Sequence, residues 1–385
     1  MHQLHSTSPK AATAGTVLFA ANRGYALTSS REAIIRGFLT AGWRVVLATA
    51  DDREARHLAS LGATLEPVSF NRGGFAPGAD WRAWRRMRQI YQRWQPSLAH
   101  HFHAKPVMLG TLAARKARGS SVGVINTVTG LGHAFIRGGL AARLAGVGYS
   151  AALPRADITV FQNRDDRALF LKMGWLNEDR TRLIAGSGVD LERFLYLDRP
   201  ANGAKAPTVV MLGRLIRQKG IPEFLEVSRR VRGRFPTARF LLAGEEDPVH
   251  PDAVSAEWVR SQEGIEYLGR LDDVVPLLRE ADLFLFPSYR EGVPRAVMEA
   301  AATGLPTVAF DVPGVREAVR DGQTGYLVPD RDVDALHGRV LELLEHEEKR
   351  MGMGRAARQL AEEAFDIKAI QEAYRSLYRQ LGATA

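Results

Sequence analysis

The sequence predicts an α/β protein built from two doubly wound, Rossmann-like domains, and three observations carry that prediction. The chain has 385 residues, long for one hydrophobic core and comfortable for two. Apolar, strand-like runs alternate with helix-like segments in two series, each with glycine-containing polar loops at the strand ends. Between the series, Arg199 to Pro207 is rich in Pro, Gly and Ala and reads as a linker. The first domain is therefore expected over 16–198 and the second over 208–364, with a final helix in 365–385.

Composition narrows the classes of function. Hydrophobic residues make up 45% and charged residues 25%, the balance of a soluble globular protein. The absence of cysteine excludes disulfides, thiol catalysis and cysteine zinc sites. No apolar run approaches the roughly 18 residues of a spanning helix. Met1 to Gly15 lacks the apolar core of a signal peptide and is expected to be a disordered tail on a cytoplasmic protein. Charge is uneven: residues 1–200 carry 27 Lys and Arg against 14 Asp and Glu, net +13, whereas 201–385 carry 25 against 29, net −4. A basic half implies an anionic partner, either nucleic acid or an anionic membrane face, unless the charge serves solubility alone.

In the first series, Thr16 to Ala21 is an apolar strand ending at Asn22, Arg23 and Gly24. Ser30 is the expected N-cap of a helix through Leu39, stopped by Gly42 before the strand Arg44 to Ala48. Strand, polar loop and helix in that order place a ligand at the strand's carboxyl end. Neither a Gly-x-Gly-x-x-Gly nor a Walker A loop is present, which argues against a nicotinamide or flavin site. Trp81, Trp84, Met87, Tyr91 and Trp94 recur every three or four residues with Arg82, Arg85, Arg86, Arg88 and Arg93 between them, predicting a basic amphipathic helix. Its aromatic stripe either lies in a membrane interface or packs on the first sheet, leaving the arginines wet. His100, His101 and His103 stand at the end of the next strand, before Lys105, Pro106 and a helix to Arg118. His101 and His103 could share a strand face, but the other ligands of a zinc site are not evident, so they read better as a cleft lining. Asn126 to Phe135 is a strand and glycine-rich turn holding Thr129, Gly130 and His133, and the small, apolar segment after it carries Arg137 and Arg143. Asp157 to Phe161 is a strand, Gln162-Asn163 opens a helix to Met173, and Leu183 to Asp190 carries Gly186 and Gly188.

In the second series, Thr208 to Gly213 is a strand, and the loop after it holds Arg214 and Lys219, two cations that could grip two phosphates. Arg239 to Gly244 and Ile265 to Gly269 follow as strands. The buried run Leu283 to Pro287 then stops at a polar loop with Glu291 and Gly292, and a helix starts near Pro294, a residue suited to the first helical position. Unpaired amides at such a helix start attract anions. Glu291 and Glu299 flank it and accept only, so they suit a vicinal diol. Together these features point to a ligand with both phosphate and hydroxyl groups. Asp330-Arg331-Asp332 has the letters of a metal-binding Asp-x-Asp, but Asp332 precedes a helix from Val333 and is better read as its N-cap.

Set in Pro-Ser-x-x-Glu-Gly-x-Pro-x-x-x-x-Glu-Ala and followed by Gly-Leu-Pro-Thr-Val-Ala, this stretch resembles the retaining glycosyltransferases of family 4, most of all their capsule, O-antigen and lipid-linked-oligosaccharide branch. The resemblance runs from about Thr16 to the C-terminus and is most specific in 284–317, 207–220 and 126–135. It implies the GT-B fold, two domains facing across a cleft, with the last helix crossing back to the first domain. It implies that Glu291 holds the donor sugar and Glu299 the nucleotide ribose. The segment Gly292, Val293, Pro294 and Arg295 would surround the diphosphate with its free backbone N–H groups, clamped by Arg214 and Lys219 after Gly213. Gly244, at a strand tip, would belong to the donor site, and Arg270 and Leu271 would lie toward the base. Glu291, Lys219 and Arg214 are the catalytic candidates. Gly24, His101, His103, Lys105, Thr129, Gly130 and His133 would form the acceptor side. Two departures stand out: Gly24 is alone where the family carries Gly-Gly, and Thr129 replaces a histidine, for which His133 is a possible substitute. Thr-Gly-Leu-Gly at that point is itself similar to the capsule branch.

The implied activity is retaining transfer of a sugar from a nucleotide-sugar, a UDP-sugar by analogy with the branch, to a lipid-linked saccharide of undecaprenyl-diphosphate type. No metal or other cofactor is expected, because Arg214, Lys219 and the helix start supply the positive charge. Arg82, Arg85, Arg86, Arg137 and Arg143 would hold the protein peripherally on the inner face of the cytoplasmic membrane. A nucleotide-sugar 2-epimerase of the same fold and a basic nucleic-acid-binding protein are the competing classes, although no nucleic-acid motif is present.

Overall fold

The computed structural model describes residues 14–71, 76–131, 139–197, 206–248 and 250–384. Seven parallel strands form the first sheet: β1 (Thr16–Ala20), β2 (Arg44–Thr49), β3 (Thr64–Pro67), β4 (Leu98–Phe102), β5 (Gly123–Val128), β6 (Ile158–Phe161) and β7 (Thr181–Leu183). Their order is β3-β2-β1-β4-β5-β6-β7. Six parallel strands form the second: β8 (Thr208–Leu212), β9 (Arg239–Ala243), β10 (Glu266–Gly269), β11 (Leu283–Phe286), β12 (Thr307–Phe310) and β13 (Gly325–Val328), ordered β10-β9-β8-β11-β12-β13. Central strands such as β1 and β8 are buried along their whole length, as their near-continuous apolar sequences require when helices cover both faces.

In each sheet the strand order reverses beside the first strand, between β1 and β4 and between β8 and β11. Such reversals open a crevice at the strands' carboxyl ends. Asn22 and Arg23 after β1, His103 after β4, Gly213 and Arg214 after β8, and Glu291 after β11 all line one cleft.

The helix Tyr25–Thr40 begins five residues before the expected Ser30, which is buried inside it. The buried stripe explains the difference: Leu27, Arg31, Ile34, Ile35 and Phe38 already follow helical spacing from Leu27. Pro294 is the N-cap of the helix Arg295–Ala302 and not its first residue. The helix Pro77–Trp94 turns Met87 and Tyr91 into the core with Trp84 and Trp94 packed beside them, so the stripe faces the first sheet. Trp81 alone of that set is mostly exposed. Asp332 caps the helix Val333–Glu345, accepting from the Ala335 amide.

Passage between the domains departs from the expected linker. Ile184 still belongs to the first core, whereas Val189 and Phe194 are buried in the second, so the chain changes domain at 184–189 and not within 199–207. Residues 199–205 of that expected linker lie outside the described residues, as do His133, Arg137 and most of the N-terminal tail. Near the end the chain returns. Phe365 lies in the second core, and the helix Ile367–Gln380 buries Ile370, Tyr374, Leu377 and Tyr378 against Phe19 and Phe38 of the first. The two passages pair: the Val189 amide donates to Phe365 O at 2.7 Å and the Ile367 amide to Val189 O at 3.1 Å. Gly188 fits there because its φ is +78° and a Cβ would lie 2.7 Å from the Ile367 Cα. Among the described residues no helix is long and apolar enough to cross a membrane.

Candidate active site

The cleft between the two sheets encloses about 1700 Å³. Its second-domain wall starts where β8 ends. Arg214 lies there with Nη1 2.7 Å from Oδ2 of Asp247, a carboxylate that is only 3% exposed. Farther along the same loop Lys219 donates from Nζ to Glu291 Oε1 at 2.5 Å, and Ser288 Oγ donates to the same oxygen at 2.6 Å. Two cations of that loop thus face the end of β11, each already held in place by a carboxylate. A lysine ammonium has three N–H groups, so Lys219 can keep Glu291 and still donate to a bound anion.

The helix Arg295–Ala302 aims its amino end at the cleft, and no side chain caps it. Its first-turn amides are the orphan donors of any helix start, and the dipole favours negative charge there. Glu299 lies one turn inside, nearly buried, and accepts from Arg295 Nε at 2.7 Å. Arg295 also crosses to the first domain, where Nη1 donates to Ser29 O at 2.5 Å. All donor-side residues named from the sequence line the cleft: Gly213, Arg214, Lys219, Gly244, Arg270, Leu271, Glu291, Gly292, Val293, Pro294, Arg295 and Glu299. Arg270 pairs with both Glu245 and Glu54 near the cleft's edge.

On the first-domain wall, His103, Lys105, Thr129 and Gly130 line the same cleft. His103 has a φ of +72°, uncommon for histidine, and its Nδ1 accepts from the Asn22 amide at 3.4 Å. Burial, first, and then the Arg31 and Arg214 cations push its pKa down to about 4. Lys105 is paired with Asp80, another cleft residue.

His101 does not face the cleft, contrary to the expectation from its neighbours. Both faces of β4 are covered, so this strand residue is buried in the core, where Nε2 lies 2.6 Å from Tyr91 Oη and Nδ1 2.9 Å from Asn126 Oδ1. Gly24 is also set back, its amide donating to Asp52 Oδ2 at 2.9 Å while Asn22, Arg23 and Tyr25 line the cleft around it. Asp332 of the Asp-x-Asp run is spent on its helix and is not part of the cleft wall. Among the described residues no cluster of three His, Asp or Glu is arranged to hold a metal.

Asp247, Asp80, Asn163, Asp166 and Arg290 were not legible as site residues. Asn163 and Asp166 do carry a readable signal, since Asn-x-x-Asp before an apolar run marks a helix start. What it lacks is any sign that this start touches the other domain: Arg290 Nη2 lies 2.5 Å from Asp166 Oδ1, and Asn163 Nδ2 donates to Gly292 O at 2.9 Å.

Comparison with known proteins agrees with this geometry. Residues 206–346 match the family model described as Glycosyl transferases group 1, and residues 28–186 match that described as Glycosyl transferase 4-like domain. The chain is 26% identical over 374 residues, 94% of its length and 97% of the relative's, to the N,N'-diacetylbacillosaminyl-diphospho-undecaprenol alpha-1,3-N-acetylgalactosaminyltransferase of Campylobacter jejuni. Among solved structures, sucrose-phosphate synthase from Thermosynechococcus elongatus superposes with a TM-score of 0.75 at 20% identity, covering 95% of this chain and 99% of that one. Anabaena HepE, solved in complex with UDP-glucose, gives 0.75 at 18% identity over 95% of this chain and all (100%) of that one.

Proposed function

We propose, from the premise that the chain belongs to the GT-B glycosyltransferases of family 4 and is a hexosyltransferase, that it moves a sugar from a UDP-sugar to a lipid-linked saccharide of undecaprenyl-diphosphate type with retention of anomeric configuration. The observation that carries this reading is the Lys219–Glu291 pair beside Arg214 and an uncapped helix start, facing His103, Lys105 and Thr129 across one cleft. The lipid-linked acceptor is supported by the activity of the Campylobacter relative, with which the chain aligns over 94% of its length. The ligand of the Anabaena neighbour supports UDP as the nucleotide.

Chemically, the bond between the anomeric carbon and the diphosphate oxygen breaks while the acceptor hydroxyl adds to the same face of that carbon. The hydroxyl's proton passes to the departing phosphate oxygen, so no protein nucleophile is required. Negative charge growing on the diphosphate meets Arg214, Lys219 and the N–H groups of Gly292, Val293 and Arg295, donors fixed before reaction. Glu291 orients the sugar hydroxyls as the ring gains positive character, and Glu299 takes the ribose diol. Positive side chains and a helix start do the work a metal does elsewhere, so transfer is expected to survive chelation. Arg82, Arg85, Arg86 and Arg143, with Arg137 beyond the described residues, would bring the first domain to an anionic membrane face.

A panel of UDP-sugars, led by UDP-N-acetylgalactosamine, tests the proposal when incubated with a polyprenyl-diphosphate-linked saccharide in the presence of EDTA. The expected result is acceptor-dependent UDP release and an elongated lipid-linked product with an α linkage by NMR. UDP release without acceptor as the sole reaction would point to epimerase chemistry and overturn it.

A further inference from the structure

We infer that Asn163 and Asp166 of the first domain, together with Arg290 of the second, form a latch that sets the position of Glu291 and so act as positioning residues for the donor sugar. The inference rests on the reading that Glu291 holds that sugar.

Three contacts converge on the two chain neighbours of Glu291. Arg290 reaches across the domain boundary with Nη2 2.5 Å from Oδ1 of Asp166, a carboxylate with no exposure. A carboxylate so buried requires a countercharge, which draws Arg290 in. On the other side of Glu291, Asn163 Nδ2 donates to Gly292 O at 2.9 Å and also to Asp166 Oδ2 at 2.9 Å. Asn163 is itself fixed, because Oδ1 accepts from the Asp166 amide at 2.7 Å and caps the helix Arg164–Lys172. Finally, a Cβ on Gly292 would collide with the Thr129 carbonyl oxygen and lie 3.0 Å from Gln162 Oε1, so the loop backbone sits directly on the first domain.

Glu291 is thus gripped through its carboxylate by Lys219 and Ser288 of its own domain and through its backbone neighbours by the other. Separating the domains would release the Arg290 side chain and the Gly292 carbonyl together, leaving the loop held by its own domain alone, through Lys219 and Ser288 on the carboxylate, Pro313 O on the Glu291 amide and Gln218 on Arg290 O. The grip on the donor sugar would then depend on both domains being engaged, although no first-domain side chain in the latch needs to touch the sugar.

The test uses the full chain and two variants: Arg290→Met, and the double variant Arg290→Met/Asp166→Asn, which removes both charges at similar volume so that no lone carboxylate is left buried. Hydrogen–deuterium exchange of the ligand-free protein should be faster in peptides covering 286–294 in both variants and unchanged in β8 and β9. With the donor selected by the UDP-sugar panel, kcat should fall about tenfold to a hundredfold, the scale of a misplaced group. UDP affinity by calorimetry should stay unchanged, and Arg290→Lys should recover most of the turnover. Unchanged exchange in 286–294, or turnover and UDP affinity falling in parallel, would overturn the latch. Glu291→Gln separates the two failures: wild-type turnover in that variant rejects the role given to Glu291, whereas loss there with normal turnover in the Arg290 variants rejects the latch alone.

Discussion

Lys219 and Glu291 form an ion pair in the cleft, 2.5 Å between Nζ and Oε1, with side-chain exposures of only 16% and 13%. The pair joins the loop after β8 to the loop after β11 on either side of the sheet's reversal point. Lys219→Met would remove a donor to the leaving diphosphate and leave the Glu291 carboxylate without its cation. Turnover should fall about 10²- to 10³-fold, the usual loss for one donor to developing negative charge. Steady-state UDP release checks this, and wild-type rates would remove Lys219 from the site.

Glu299 is held by Arg295, whose other nitrogen reaches Ser29 in the opposite domain. A ribose diol at Glu299 would take the place of that arginine contact. Glu299→Ala should weaken UDP binding about ten- to a hundredfold, the range for hydrogen bonds to a charged group. Calorimetric titration with UDP measures it, and equal affinity in the variant would exclude a ribose contact.

His101 and His103 both have pKa values pushed from the ordinary 6.5 down to about 4, chiefly by burial. The unfolded chain takes up these protons near 6.5 and the folded chain only near 4. Their contribution to stability is therefore complete above about 6.5 and is lost as pH falls toward 4. Urea midpoints should stay level from pH 8 to 7 and then decline through that window, with a shallower decline in His101→Gln. Because His103 is neutral near pH 7, His103→Asn, a residue that tolerates its positive φ, should leave the shape of the rate profile between pH 6 and 8 unchanged.

Gly188→Ala should strain the crossing between the domains, since φ is +78° and the Ile367 Cα blocks the new methyl. A loss of about 2 kcal/mol, within the range for backbone held in a sparsely populated region, is expected in urea unfolding. An unshifted midpoint would mean that the crossing relaxes freely.

Much of this architecture was legible because it depends on local pattern. Apolar runs such as Leu283 to Phe286, followed by a polar loop and a helix, mark a strand end whether or not its neighbours are known. Glu291, Lys219 and Arg214 stood out because they sit at such ends inside stretches that resemble a known family; alone, each reads as an ordinary surface charge. His101 misled because both faces of β4 are covered, His100 packing on Tyr378 and His101 on Tyr91 and Asn126, and these partners are distant in sequence. The Asp166–Arg290 pair was hidden for a related reason: its members are 124 residues apart, and each looks like an ordinary surface charge near its own loop. The passage between the domains was misplaced because composition finds Pro- and Gly-rich chain, whereas packing decides where a core begins. Phe194 already belongs to the second one.

Paired crossings at Val189 and Ile367 bear on mechanics. A single covalent tether permits rotation about its own length, so two lobes joined by one would bend and twist alike. Here two stretches of backbone run side by side and are hydrogen-bonded to each other. Twisting would have to break those bonds, whereas bending across them would not. Paired crossings of this kind would favour bending about one axis over twisting, like the spine of a book.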